Sequence, residues 1–229
     1  MTTLRGSVPV TWRAGYTLDL PAGDTPVGGW PLLVLLHGYG QSGAAMAERL
    51  DGFGDAPYAR LWPDAPFPIE LQRDERRVVG HAWYQYTGDQ DAFVRALDFG
   101  RAHLRTLLDS VAADHCVDPS RAMLCGYSQG GYLAGVAAFK DRDRWCGLVA
   151  IATRVKTEVV ATELASAKGF PALLLHGSRD CFIDADRQRE SAEVLAAHGV
   201  DVRLEVWDGG HGLKPALVPM IDTFVRSAL

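Results

Sequence analysis

The chain has 229 residues, of which 48% are hydrophobic and 22% charged. That composition is ordinary for a globular protein, and the length fits one domain with a full core over residues 1-229. A formal net charge of -5 argues against a nucleic-acid partner, since proteins that bind nucleic acid are generally basic.

Met1 to Val10 carry one arginine and no long apolar core, so no secretory signal is expected. Val8 to Leu20 reads as one or two early strands with a turn at Ala14-Gly15, and Pro21 to Gly29 as turns. Leu32 to Leu36 is unbroken apolar, the pattern of a strand covered on both faces. It is far too short to span a bilayer, and no integral membrane segment is expected. Ser42 to Asp51 reads as a helix with Ser42 as N-cap, and Ala59 to Trp62 as a short strand. Pro63 to Gly88, rich in proline and charge, reads as a long irregular loop. Asp91 to Ala113 repeats apolar residues at helical spacing.

Asp118-Pro119 marks a turn, and Ala122 to Cys125 reads as a buried strand followed by a helix of small residues over Gln129 to Lys140. Leu148 to Ile151 and Ala172 to Leu175 are further buried strands, and Asp186 to His198 is a helix closed by Gly199. Val202 to Val206 alternates like a strand with one wetter face, and Leu213 to Leu229 reads as a helix with Pro215 in its first turn. The alternation of strands and helices predicts an α/β protein with a mostly parallel central sheet. Cys116, Cys125, Cys146 and Cys181 lack C-x-x-C spacing. They suggest reduced thiols in a cytoplasmic protein rather than a zinc site or a disulfide framework.

The most informative segment is Gly126-Tyr127-Ser128-Gln129-Gly130-Gly131, between the strand ending at Cys125 and the following helix. A G-x-S-x-G turn between strand and helix holds its serine in a strained conformation, exposes the hydroxyl, and sets it above the helix N-terminus. A serine needs a histidine base, and the base needs an acid to fix its tautomer. In the chain order serine, acid, histidine, the acid candidate is Asp180, after the strand Leu173-Leu174-Leu175 and the turn His176-Gly177-Ser178-Arg179. Asp184 is its rival, with an alternative role as a helix cap. Of seven histidines, only His211 follows the last strand through a glycine turn, Asp208-Gly209-Gly210. His176 reads as structural. Two backbone N–H groups should hold the oxyanion: that of Gln129, and that of Tyr39 in the loop His37-Gly38-Tyr39-Gly40-Gln41-Ser42-Gly43.

These motifs together resemble the phospholipase/carboxylesterase family of α/β-hydrolases, the group that contains acyl-protein thioesterases. Leu36-His37-Gly38-Tyr39-Gly40 is similar to its oxyanion loop, and Asp118-Pro119-Ser120-Arg121 to its lead into the elbow strand. His176-Gly177-Ser178-Arg179-Asp180 is similar to its acid turn. Pro63-Asp64-Ala65-Pro66 and Ala82-Trp83-Tyr84 resemble segments beside its substrate groove, with Trp83 as a substrate-binding wall or a core residue. The resemblance implies an α/β-hydrolase fold without a large lid and metal-free, cofactor-free hydrolysis of a small-molecule ester or thioester. A homodimer stays open. The charged run Gln72 to Arg77 reads as a solvated loop; facing the groove, it would favour a polar or charged substrate.

The expected function is therefore serine hydrolysis of carboxylic esters through an acyl-enzyme intermediate. Thioester or amide cleavage at the same site remains open. So does a non-catalytic hydrolase-fold binding protein, and a cysteine nucleophile at Cys125 is a weaker alternative.

Overall fold

The short apolar runs of the sequence pair into a seven-stranded sheet in the computed structural model of the chain, which describes residues 3, 4, 6, 8 and 13–229. The first elements are β1 (Tyr16–Asp19), β2 (Trp30–Leu36), α1 (Gly43–Arg49) and β3 (Ala59–Pro63). A hairpin follows, β4 (Phe67–Arg73) and β5 (Arg76–Ala82), then α2 (Gln90–Asp114). The elbow joins β6 (Val117–Tyr127) to α3 (Gln129–Lys140). After it come β7 (Leu148–Ile151), α4 (Ala161–Leu164), β8 (Pro171–Gly177) and α5 (Ala185–Ala197). The chain closes with β9 (Asp201–Trp207), a 3-10 turn (Pro215–Leu217) and α6 (Val218–Ala228).

The strand order is β1-β3-β2-β6-β7-β8-β9, parallel throughout except for β1, which runs antiparallel to β3. β2 shows why its sequence is apolar on both faces. Leu32, Val34 and Leu36 pack into one core with Leu97 and Leu104 of α2, Leu133 of α3 and Leu195 of α5. Leu33 and Leu35 pack into the opposite core with Met46 of α1 and Ile221 and Val225 of α6. The fold is thus a mostly parallel sheet between two helical layers, and β6, which leads to Ser128, lies at its centre. Among the described residues no helix is long and apolar enough to cross a membrane.

Two expectations need correction. Pro63 to Gly88 is not one irregular loop, because it contains the β4–β5 hairpin, paired from Phe67↔Ala82 to Arg73↔Arg76. Its inner face carries Ile69, Leu71 and Val78, half-buried, and its tight turn is made with Asp74 at φ 52, a left-handed conformation that aspartate tolerates better than most side chains. β6 begins at Val117 rather than Ala122. Val117 pairs with Trp30 and Ala122 with Leu32, so residues 118–121 bulge out of register. Asp118 closes that bulge, its carboxylate accepting hydrogen bonds from the Ser120 N–H and hydroxyl at 3.0 and 2.6 Å, and Pro119 is tolerated there because a bulge needs no donor from it. Of the early-strand region, Tyr16–Asp19 is a strand, whereas residues 9–12 lie outside the described residues, as does most of the stretch Met1 to Val10.

Candidate active site

The elbow follows from steric necessity. A β-carbon at Gly126 would stand 2.4 Å from the Gly130 carbonyl oxygen, and one at Gly130 would stand 2.4 Å from that of Leu36. Only glycine lets strand and helix approach so closely. Between them Ser128 takes φ 52 and ψ -115, a sparsely populated conformation of the kind that concentrates at functional sites. Its N–H donates to the Ile151 carbonyl at 2.9 Å, tying the elbow to the end of β7.

Two loops from neighbouring strands meet the Ser128 hydroxyl. His211 Nε2 lies 2.8 Å from Ser128 Oγ, and His211 Nδ1 lies 2.7 Å from Asp180 Oδ2. The Asp180 side chain is fully buried, and that of His211 is 15% exposed. Asp180 Oδ1 accepts from the N–H groups of Phe182 and Ile183 at 2.9 and 3.0 Å. Asp180 therefore caps its turn with one oxygen and orients the imidazole with the other. Burial raises its pKa. The Ile183 N–H, the His211 hydrogen bond and the Phe182 N–H outweigh that and hold the carboxyl below its ordinary value. His176 Nε2 donates to the Ile183 carbonyl at 2.9 Å and so braces the same turn. Asp184, the rival acid, is instead the N-cap of α5, where it accepts from the Asp186 N–H. The base turn is stitched to the acid turn by Arg179 N–H to Gly209 O at 2.8 Å, and to the elbow by Tyr127 Oη to His211 O at 2.9 Å.

The loop after β2 is held from behind. His37 is fully buried; its Nδ1 donates to the Gly38 carbonyl at 2.8 Å and its Nε2 accepts from the Ala65 N–H at 3.0 Å. That pairing requires the neutral ring. Burial supplies it by lowering the pKa to about 4, against opposing contributions from the Gly38 hydrogen bond and Asp64. The Gln41 side chain accepts from the Gly38 N–H at 3.2 Å. The hairpin adds Gly40 N–H to His81 O, His81 N–H to Gln41 O, and Arg73 Nη2 to Gly40 O at 2.6 Å. Among the described residues the N–H groups of Tyr39 and Gln129 make no hydrogen bond. Gln129 spends its side chain elsewhere, accepting from Trp83 N–H and donating to Tyr84 O, both at 2.9 Å.

Trp83 is placed differently from a substrate-binding wall. It is 0% exposed, packs in the core with Leu97 and Leu133, and its indole N–H donates to the His37 carbonyl at 2.8 Å. It supports the loop, and the next residue, Tyr84, faces the cavity. Cys125 is fully buried and its thiol is pushed up by desolvation, the opposite of what a thiolate nucleophile requires.

A cavity of about 560 Å³ opens at Ser128 and Gln129. Tyr84, Phe93 and Tyr132 give it an aromatic wall, and Arg154, Lys156 and Glu158 give it a charged one. The Arg154 guanidinium donates twice to the Glu158 carboxylate, at 2.6 and 3.1 Å. Partial burial raises the Glu158 pKa, but these bonds and the Lys156 charge outweigh it and hold the carboxyl low. The sequence motifs gave no hint of this charged wall. The available signal was position: residues 152–158 follow β7 at the carboxyl edge of the sheet, where α/β proteins bind ligands.

A family model described as phospholipase/carboxylesterase matches residues 29–229. Over 212 residues the chain is 23% identical to a Gibberella zeae protein named acyl-protein thioesterase 1, an alignment covering 86% of this chain and 90% of that one. Among solved structures it is similar to esterase PE8, at 23% identity and a TM-score of 0.75, covering 95% of this chain and 100% of that one. It is similar also to a Bacillus cereus carboxylesterase, at 18% identity and a TM-score of 0.70, covering 94% and 95%. The architecture they share is the α/β-hydrolase fold.

Proposed function

The chain belongs to the phospholipase/carboxylesterase family and is a hydrolase, and from that premise we propose that it cleaves carboxylic esters through an acyl-enzyme intermediate on Ser128. The observation that carries the reading is the unbroken chain of hydrogen bonds from Ser128 Oγ through His211 to Asp180, 2.8 and 2.7 Å long, beginning on a serine held at φ 52.

In this mechanism Ser128 Oγ attacks the ester carbonyl while His211 Nε2 takes its proton. Asp180 keeps the other ring nitrogen protonated and stabilises the imidazolium. The carbonyl oxygen becomes an oxyanion, held by the N–H groups of Tyr39 and Gln129. His211 returns its proton to the departing alcohol, and the acyl group stays on Ser128. Water then enters and attacks the acyl carbonyl as His211 takes one of its protons. Collapse of the second tetrahedral intermediate breaks the Ser128 Oγ–acyl bond, His211 returning the proton to Oγ as the carboxylic acid leaves. Thioesters suit the same site, and the name of the Gibberella zeae relative favours including them among the substrates tested.

The test is hydrolysis of short-chain nitrophenyl esters, with thioester counterparts, by wild type and Ser128→Ala. A fluorophosphonate should label wild type and not the variant. Equal turnover by the two proteins would reject Ser128 as nucleophile.

A further inference from the structure

The proposed acyl transfer leaves three charged residues of the cavity without a role. Arg154, Lys156 and Glu158 lie on the segment that leaves β7, the strand next to the one that ends in the elbow. That segment starts with Ala152 at φ 47, a left-handed conformation costly for a side chain and kept where the surroundings impose it. The Ser128 N–H bond to the carbonyl of Ile151, the residue before Ala152, ties the start of this segment to the elbow.

The charges in this wall do not balance. Arg154 is satisfied by its two bonds to Glu158. Lys156 is 7% exposed, yet among the described residues its only carboxylate is the same Glu158, at 3.5 Å on the oxygen that Arg154 already holds at 2.6 Å. Its other contacts are neutral: Gln90 Oε1 at 2.8 Å and the Phe93 ring, whose centroid is 4.8 Å away. Lys156 and Arg154 thus share one carboxylate, and a bound anion would give the second cation a counter-charge of its own. Two cations facing one carboxylate beside a nucleophile, with aromatic side chains to cover methylene groups, describe a receptor for an amphipathic anion.

We propose that the cavity selects esters that carry a free carboxylate on the acyl or the alcohol side, anchored by Lys156 with Arg154, an assignment that rests on the serine-hydrolase reading for its chemistry but not for its binding. The exposed charges at the hairpin turn play no part in it. Glu158 competes with the substrate for the same cations.

The test compares kcat/KM for matched pairs: nitrophenyl monoesters of dicarboxylic acids of increasing length against the amide-terminated isosteres, and nitrophenyl-type esters with and without a carboxylate on the leaving group. Wild type should favour the anionic member of one pair by about tenfold, the worth of a charge-assisted hydrogen bond in a partly buried site. Lys156→Met should bring that ratio towards one, and Glu158→Gln should raise it. A general loss of folding lowers both members together and leaves the ratio readable. In parallel, Ser128→Ala is titrated calorimetrically with adipate monomethyl ester, and adding Lys156→Met should weaken binding by about the same factor. Wild type showing no anionic preference in either pair, or a ratio unmoved by Lys156→Met, overturns the anion site while the serine-hydrolase reading stands. Undiminished turnover by Ser128→Ala overturns that reading instead, and the matched-pair ratios in wild type and Lys156→Met then decide the anion site alone.

Discussion

His37 and His211 both sit just past the carboxyl ends of strands, and both use both ring nitrogens, but their partners differ in kind. His37 is bonded on either side to backbone, Gly38 O and Ala65 N–H, and is fully buried. His211 is bonded on either side to side chains, Asp180 and Ser128, and keeps some exposure. The first is fixed as a neutral spacer, since protonating Nε2 would cost it the Ala65 bond. The second can accept a proton at Nε2 without losing its acid. One imidazole holds a loop and the other is placed to carry a proton, and burial together with partner type separates them.

The comparison is broken most directly at the proton carrier. His211→Ala and Ser128→Ala should each lower kcat on a nitrophenyl ester by about 10^6-fold, since members of such a unit fail together. A loss of that size in His37→Phe would erase the distinction. Asp180→Asn should cost about 10^4-fold in kcat with little change in KM, because the amide cannot hold the same tautomer.

The spacer histidine is sharpened by pH. Its folded pKa, about 4, lies below the ordinary 6.5, so between these values the unfolded chain binds a proton that the folded one refuses. The stabilisation is complete above pH 6.5 and is lost as pH falls towards 4, by about 3 kcal/mol in all. Urea unfolding of wild type across this window should show that slope, and His37→Phe should show a shallower one, with the part due to His103, also held low by burial, remaining. At neutral pH the same variant strands the buried Ala65 N–H, at a cost of about 2 kcal/mol. The smallest effect belongs to Arg73→Met, which removes one bond to the Gly40 carbonyl; it should lower kcat about threefold and stability by about 1 kcal/mol.

The sequence disclosed the parts whose geometry is dictated locally. Gly126 and Gly130 are forced by contact distance, and the strands around them are continuous apolar runs, so the sheet, the elbow and the chain order of Asp180 and His211 could be read directly. The hairpin was hidden because Pro66, Pro68 and the charges at its turn obscure the short alternation of Ile69, Leu71 and Val78. Arg154 and Lys156 were hidden for another reason. Their meaning comes from the pairing of β7 beside β6, a relation across the sheet that no local pattern encodes. The conspicuous charge run at residues 72–77 proved to be mostly exposed hairpin turn, and the quieter Arg154, Lys156 and Glu158 reach the cavity. Trp83 misled because its family-like setting marks a site that it backs from the core.

The hairpin stands apart from the seven-stranded sheet, and a two-stranded ribbon has little stability of its own. Yet the Tyr39 loop borrows its shape from this ribbon through Gly40, Gln41 and Arg73. Heat tolerance of turnover should therefore be set at this outlying piece rather than by the main core. On slow warming, ester cleavage should fade several degrees before the far-ultraviolet helix signal collapses, as expected of a functional loop drawn from the low-stability end of a protein.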